Sequence, residues 1–144
     1  MLLVRDCMTK TVRTLGPRDT VAHAREVMVR ERINQLPIVA HGKLVGIVTD
    51  RDLREVMPTV FEAASHAAHR DRKWTDPSEL AVEEIMTPDL VTMGPADSVA
   101  DAASRLRAER IGSAPVLEDG KLVGILTRSD LLDALVAIER KRGA

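Results

Sequence analysis

Two stretches of the chain place apolar residues at positions i, i+3 and i+7, which is the spacing of one buried helical face. Residue types that commonly cap helices precede both stretches. The pattern therefore predicts two amphipathic helices. Their apolar positions are Val21, Ala24 and Met28 in the first, and Val99, Ala102 and Leu106 in the second. The candidate caps are Asp19 or Thr20 and Asp97 or Ser98.

Short β-prone runs surround these helices. The first run, residues 11–15, stops at Gly16-Pro17 and predicts a strand. After each helix, two apolar runs flank a two-residue turn, which predicts a hairpin, since Asp-Gly and similar pairs supply the positive φ angles of a type I′ turn. The turns are His41-Gly42, between residues 36–40 and 43–49, and Asp119-Gly120. The helices that follow are predicted to begin near Arg51 and Ser129.

These elements occur twice because the chain contains an internal repeat. Residues 42–47 recur as residues 120–125, and Met8-Thr9 recurs as Met86-Thr87, so the offset is 78 in both cases. The sequence therefore predicts an α/β (α+β) fold of two β-α-β-β-α repeats. One repeat is too small to cover its own short sheet, so the two are expected to pack sheet to sheet with pseudo-twofold symmetry.

Composition and charge narrow the class of function. A net charge of -1 argues against the generally basic surface of nucleic-acid binders and leaves a local basic patch open, and one Phe, one Trp and no Tyr argue against aromatic stacking platforms. No apolar run approaches the roughly 20 residues of a membrane span. The single cysteine, Cys7, excludes an intrachain disulfide. We expect a cytoplasmic protein that binds neither membranes nor nucleic acid. Because the chain lacks serine-hydrolase, phosphate-loop and zinc-protease motifs, we expect no enzyme activity.

One chemically informative motif lies where the third predicted strand of each repeat enters a helix. Thr49 is followed by Asp52 in the first repeat, and Thr127 by Asp130 in the second. A hydroxyl beside the free N–H groups of a helix N-terminus favours a phosphate, and a carboxylate there can accept both hydroxyls of a ribose. The same pair is also ordinary helix-capping chemistry. Its recurrence, although the residues between differ completely, favours ligand binding.

With these motifs the chain resembles a tandem pair of CBS (cystathionine-β-synthase-type) domains, also called a Bateman module. The Met-Thr starts, the Leu-Pro-Ile-Val and Ala-Pro-Val-Leu strands and the Gly-h-h-Thr-x-x-Asp endings, where h is apolar, carry the resemblance. The resemblance implies a regulatory module that binds AMP, ADP, ATP or S-adenosylmethionine and needs no obligatory cofactor. In such modules the aspartate holds the ribose, the threonine lies near the first phosphate, and the adenine packs against the partner repeat.

The resemblance also implies two ligand clefts, which we call the Thr49 cleft and the Thr127 cleft. The Thr49 cleft would comprise Thr49, Asp52, Leu90, Val91, Gly112, Ser113, Ala114 and Pro115. The Thr127 cleft would comprise Thr127, Arg128, Asp130, Val12, Arg13, Asn34, Gln35, Leu36 and Pro37.

The two clefts are expected to differ in charge. Arg128 follows Thr127, whereas Asp50 follows Thr49, so the Thr127 cleft should bind phosphorylated ligands more tightly. Some nucleotide-binding members place a basic residue just ahead of the strand proline, where this chain has Asn34-Gln35 and Gly112-Ser113. That absence weakens the case for a triphosphate and leaves a mono- or diphosphate, or S-adenosylmethionine, open.

Residues 58–81 form an insert between repeat 1 (1–57) and repeat 2 (82–135), and residues 136–144 form the end of the last helix and a tail. Pro58 should end the preceding helix, and the insert is expected to be an amphipathic helix with Trp74 as a packing anchor. His66 and His69 lie three residues apart there, but no third ligand is clearly placed, so we expect no metal site.

The last predicted helix has an apolar arc wider than one buried face requires. This surplus predicts a homodimer, and the resemblance implies one in the form of a flat, four-repeat disc. An unidentified effector protein would then read the ligand state. The alternative interpretation is a dimerising scaffold whose clefts bind no nucleotide. The arc consists of Leu131, Leu132, Leu135, Val136 and Ile138.

Overall fold

The structure is a computed structural model that describes residues 1–56 and 76–144. It divides into two compact units. We call Arg13–Pro88 the N-unit, and Met1–Val12 together with Asp89–Ala144 the C-unit. The predictions for the insert helix that involve Pro58, His66, His69 and Trp74 lie outside the described residues.

After the first predicted strand, the described elements of both copies follow the predicted order of helix, two strands and helix. In chain order they are α1 (Val4–Cys7), α2 (Val21–Glu31), β1 (Gln35–Ala40), β2 (Lys43–Thr49), α3 (Asp50–Val56), a 3-10 turn (Val82–Glu84), α4 (Val99–Glu109), β3 (Ser113–Glu118), β4 (Lys121–Thr127) and α5 (Arg128–Arg142). The predicted mixture of helices and strands in two copies is confirmed. Within the described part of the chain, no helix is long and apolar enough to cross a membrane.

Helices α2 and α4 begin at the second of the two candidate caps in each case. The Thr20 hydroxyl accepts a hydrogen bond from the His23 N–H at 3.1 Å, and the Ser98 hydroxyl accepts one from the Asp101 N–H at 3.0 Å. These caps satisfy N–H groups that the first helical turn leaves unpaired. The predicted apolar faces are largely buried: Val21, Ala24 and Met28 on α2, and Ala102 and Leu106 on α4.

Both hairpins have the predicted turns. Strands β1 and β2 pair antiparallel, as do β3 and β4. The φ angles are 51° and 76° at His41 and Gly42, and 50° and 79° at Asp119 and Gly120. Positive φ at both central residues is the requirement of a type I′ turn, which matches the twist of the flanking strands. The register places Gln35 opposite Thr49.

The predicted first strand over residues 11–15 is wrong in extent. Only Leu15 pairs with β1, through a parallel bridge to Ile38. Its N–H donates to the Pro37 carbonyl at 3.1 Å, and its carbonyl accepts from the Val39 N–H at 2.8 Å. Leu15 is buried in the core of the N-unit, whereas Thr11, Arg13 and Thr14 are exposed. The β-propensity of residues 11–14 therefore has no buried face to stabilise it.

The opposite edge of each hairpin is covered by the other copy of the repeat. Thr87, from the second copy, pairs antiparallel with Ile47 in the N-unit, and Thr9, from the first copy, pairs with Ile125 in the C-unit. Gly46 and Gly124 lie beneath these segments. A Cβ at Gly46 would lie 2.5 Å from the Met86 Sδ, and one at Gly124 would lie 2.6 Å from the Met8 Sδ. Glycine is therefore required for the close approach of each segment.

Each unit has its own apolar core, built around one long helix and one hairpin, with further residues from the neighbouring short elements. The core of the N-unit contains Leu15, Val21, Ala24, Val27, Met28, Leu36, Ile38, Val48, Leu53 and Val82. The core of the C-unit contains Val4, Met93, Ala102, Leu106, Ala114, Val116 and Leu126. Because these cores hold the ends of β2 and β4 in place, the threonine and aspartate that follow each strand have a defined position.

Candidate ligand-binding site

The Thr-x-x-Asp motif forms the same capping box in both units. The Asp52 Oδ2 accepts from the Thr49 N–H at 2.8 Å, and the Thr49 Oγ1 accepts from the Asp52 N–H at 3.2 Å. The corresponding distances for Thr127 and Asp130 are 2.9 Å and 3.2 Å. The helices therefore begin at Asp50 and Arg128, one residue earlier than predicted. The motif therefore caps a helix in both units, as the capping interpretation predicted.

Capping leaves acceptor capacity on both carboxylates, because it uses one bond at one oxygen and an ionised carboxylate has about four acceptor sites. Among the described residues, nothing donates to the Asp52 Oδ1, whereas the Asp130 Oδ1 accepts from the Thr9 hydroxyl at 3.0 Å. Asp52 and Asp130 are both only partly buried. Capping and ribose binding are thus compatible roles for the same side chain.

The hairpin register places each motif beside the start of the preceding strand of its own unit. Thr49 lies opposite Gln35, and the Asp50 N–H donates to the Asn34 carbonyl at 2.9 Å. In the C-unit, Thr127 lies opposite Ser113. The Arg128 N–H donates to the Gly112 carbonyl at 3.1 Å. The sequence interpretation paired each motif with the strand start of the other repeat and did not anticipate these neighbours.

The other predicted site residues are divided between the units. In the N-unit, Leu36 and Pro37 are buried and Arg13 is exposed, with its Nε 3.5 Å from a carboxylate oxygen of Glu31. In the C-unit, Ala114 and Pro115 are buried, and Val12, Leu90 and Val91 are half-buried. Each predicted cleft combines residues of both units, so the assembly of the clefts stays a prediction.

The residue that follows the threonine differs in charge and in surroundings. Arg128 lies against Gly112, where a Cβ would be 3.7 Å from the Arg128 Nε. At that distance a Cβ would make only an ordinary van der Waals contact with the guanidinium. Asp50 is 3.5 Å from Arg54 in an exposed ion pair, which offsets only part of its charge. The two motifs are therefore flanked by charges of opposite sign, and the difference between the clefts stays a prediction.

Cys7 lies close to the motif of the C-unit, where it packs half-buried against the core. Burial raises the pKa of its thiol, and the carboxylates of Asp6 and Asp130 raise it further. The thiol is therefore protonated at neutral pH and unsuited to act as a nucleophile. In the described ranges, no cluster of His, Cys, Asp and Glu could hold a metal ion.

Two features of the C-unit were not predicted from the sequence. The first is the hydrogen bond from Thr9 to Asp130, which joins residues 121 positions apart. The second is a cavity whose lining includes Arg107, Arg110 and Arg128. The spacing of Arg107 and Arg110, three residues apart near the end of α4, is a signal that could have indicated a shared helical face.

Comparisons with known proteins agree with this architecture. The CBS domain model matches residues 4–59 and 82–137. A CBS domain-containing protein of Dictyostelium discoideum is 33% identical over 139 residues, covering 95% of this chain and 93% of that protein.

Two solved structures are similar over nearly the whole chain. CBSX2, a CBS-pair protein of Arabidopsis thaliana, has been solved in complex with AMP. That complex has a TM-score of 0.78 at 27% identity and covers 96% of this chain and 99% of its own. A CBS domain pair in complex with 5′-methylthioadenosine and S-adenosyl-L-methionine has a TM-score of 0.74 at 29% identity and covers 95% of this chain and 98% of its own. The present chain therefore belongs to the CBS domain family, as a tandem CBS pair.

Proposed function

We propose that the protein is a cytoplasmic regulatory module that binds an adenosine-containing ligand in the Thr49 and Thr127 clefts. The observation that carries the proposal is the duplicated capping box, in which a carboxylate with spare acceptor capacity lies beside a helix N-terminus in both units. Similar CBS pairs bind AMP in one case and 5′-methylthioadenosine with S-adenosyl-L-methionine in another. Asp52 and Asp130 would accept the ribose hydroxyls.

The charges flanking the motif favour different ligands in the two clefts. Arg128 adds positive charge beside Thr127, which favours a phosphorylated ligand such as AMP or ADP. Asp50 adds negative charge beside Thr49, and its pairing with Arg54 is exposed and weak. The Thr49 cleft is thus better suited to S-adenosylmethionine, whose sulfonium is positively charged.

A calorimetric titration with AMP, ADP, ATP and S-adenosylmethionine tests the proposal. We expect Asp52→Ala and Asp130→Ala each to remove about one binding event per chain. Loss of a charge-assisted hydrogen bond costs roughly 1.5–3 kcal/mol, which is about tenfold to a hundredfold in affinity. A wild-type protein that bound none of these ligands would contradict the proposal.

Asp52→Glu is the matched control for helix capping. Glutamate at this position keeps a capping box, because its carboxylate still reaches the threonine N–H, but it moves the carboxylate outward by one methylene. We expect Asp52→Glu to keep the thermal stability of the wild type and to weaken ligand binding at the Thr49 cleft. If Asp52→Ala and Asp52→Glu both left binding unchanged, Asp52 would serve the helix alone.

We further propose that α5 joins two copies of the chain, and that an effector protein reads the ligand state. Leu132 and Leu135 on α5 are 62% and 55% exposed, and Val136 and Ile138 are also exposed. Such a contiguous apolar stripe on one helix is typical of an association surface. The same stripe supports the alternative function, a homodimeric scaffold whose clefts bind no nucleotide, and the titration distinguishes the two.

A further inference from the structure

The C-unit contains a cavity between the end of α4 and the start of α5, with a volume of about 290 Å³. Its apolar lining comes from both helices and from Ile111, which lies two residues after the end of α4. Three arginines, all of them exposed residues, complete the lining at its open side. The lining residues are Ala103, Leu106, Arg107, Arg110, Ile111, Arg128 and Leu131. A cavity just below the range of about 300–1,000 Å³ that holds drug-sized ligands suits a small anion or one end of a larger ligand.

The three guanidinium groups form no ion pair with any described residue. Unpaired like charges that share one cavity repel each other, so an anion that bridges them would be bound favourably. Guanidinium groups bind phosphate oxygens through two parallel hydrogen bonds, which adds geometric specificity. Three such groups match the several charges of a phosphate chain better than the single charge of a carboxylate.

The N-unit does not repeat this arrangement of charge. At an offset of 78, Arg107 corresponds to Val29, Arg110 to Arg32 and Arg128 to Asp50. Val29 is 70% exposed, and Asp50 pairs with Arg54. One position therefore keeps an arginine, one is apolar and one is acidic. The set of three arginines is specific to the C-unit and is not a requirement of the repeat fold.

We infer that the cavity lined by Arg107, Arg110 and Arg128 is a binding site for an oligophosphate chain. Arg128 lines the cavity and directly follows Thr127, beside which the proposed function puts the first phosphate, whereas Thr127 and Asp130 themselves do not line it. The inference extends the proposed function but does not depend on it, because the site needs no adenosine. It also supplies the positive charge that the Gly112-Ser113 segment lacks. The chain comes either from an adenine nucleotide or from free polyphosphate.

Titration of the full chain with sodium tripolyphosphate tests the inference directly. We expect one bound anion per chain, and Arg107→Gln and Arg110→Gln should each weaken binding about tenfold or more. Arg32→Gln is the matched control, because Arg32 has the same φ of 55° as Arg110 and stands at its counterpart position. It should leave the affinity unchanged. Thermal denaturation of each variant verifies that it is folded.

Two results would overturn the inference: no tripolyphosphate binding to the wild type, or an equal loss in Arg32→Gln, which would indicate unspecific charge attraction. Asp130→Ala separates the inference from the proposed function, since it should weaken AMP binding and leave tripolyphosphate binding intact. If AMP binds and tripolyphosphate does not, only the present inference fails. The ratio of ATP to AMP affinity identifies the source. If Arg107→Gln lowers the ratio of ATP to AMP affinity, the site binds the phosphates of a nucleotide. If the ratio is unchanged, the site binds free polyphosphate.

Discussion

In the N-unit the residue after the capping threonine is Asp50, whose carboxylate pairs with Arg54, whereas in the C-unit it is Arg128, whose guanidinium lies against Gly112. The backbone around the two residues is the same, with the same register, capping box and turn. The repeated backbone therefore sets the position at which a ligand could bind, whereas the exposed residues beside the motif determine the charge near that ligand.

Several positions that are identical in both copies are ones that the backbone constrains. Gly46 and Gly124 permit close approach of the edge segments, and Gly42 and Gly120 adopt positive φ. By contrast, Val29 and Arg107 stand at equivalent exposed positions of α2 and α4 and have no such constraint. Duplication of a fold therefore leaves the surface free to specialise.

The largest effect is expected where the units differ in exposed apolar surface. Leu135→Glu in the C-unit would bring a carboxylate into each half of the proposed dimer contact. Burying a charged carboxylate costs more than the roughly 1–3 kcal/mol of an unpaired buried polar group. Because the proposed dimer is twofold symmetric, each substitution places two such carboxylates in the contact. The dimer should therefore dissociate, and light scattering at tens of micromolar protein should give the mass of a monomer. Val29→Glu, an exposed apolar position of the N-unit, should leave the mass unchanged. A wild-type monomer would contradict the proposed assembly.

The next largest effect is expected at the glycine that lies beneath the edge segment in both units. Gly46→Ala would place a Cβ 2.5 Å from the Met86 Sδ and 3.1 Å from the Thr87 carbonyl oxygen. Such overpacking typically costs about 1–3 kcal/mol, and Gly124→Ala should cost the same in the C-unit. Urea denaturation measures both.

Gly16→Ala is the control for these glycines, since its Cβ would lie 3.7 Å from the Asp19 Oδ2, an ordinary van der Waals distance. It should leave the free energy of unfolding nearly unchanged. A large loss at Gly46 and none at Gly124 would show that the two edges are not equivalent.

Exchange of the two flanking charges should reverse the order of the clefts. In an Asp52→Ala background, which isolates the Thr127 cleft, Arg128→Asp should weaken AMP binding about tenfold, and the effect should shrink as salt screens it. In an Asp130→Ala background, Asp50→Arg should strengthen AMP binding at the Thr49 cleft. Calorimetry at two salt concentrations measures both changes. Equal AMP affinities at both clefts of the unexchanged protein would show that these side chains face away from the ligand.

The smallest effect tests the hydrogen bond that only one unit has. Thr9→Val removes the donor to the Asp130 Oδ1 and should lower the free energy of unfolding by about 0.5 kcal/mol, the low end for an exposed bond. Thr87→Val is the matched control, because among the described residues the Thr87 hydroxyl makes no bond to Asp52. Chemical denaturation compares the two variants, and equal losses would mean that the threonine methyl, not the hydroxyl, stabilises the edge.

Much of the fold was predictable from the sequence because the pattern of each element occurs in both copies of the repeat. Hairpin turns, buried helical faces and the Thr-x-x-Asp caps depend on residues near each other in sequence, and these predictions are confirmed. The strand at residues 11–15 failed because β-propensity does not reveal whether a strand has a buried face, and only Leu15 does.

The parts of the site that were missed depend on contacts distant in sequence. The Thr9–Asp130 hydrogen bond joins residues 121 positions apart, so no local sequence pattern predicts it. Arg107 and Arg110 meet Arg128 only once the hairpin between α4 and α5 has folded back. Residues flanking a motif can be read from the sequence, but residues that reach it from another element cannot.

The exchange of edge segments also sets an order for folding during synthesis. The N-unit is one continuous stretch, so it can close once the segment containing Thr87 has been made. The C-unit forms later, because Met1–Val12 packs with residues from Asp89 onward, which are translated after the whole N-unit. Contacts of such high sequence separation form late and slowly. The segment with the apolar Val4 therefore stays without its partner until β4 has been made, and a ribosome that stalls before β4 leaves the C-unit half folded with this apolar residue exposed.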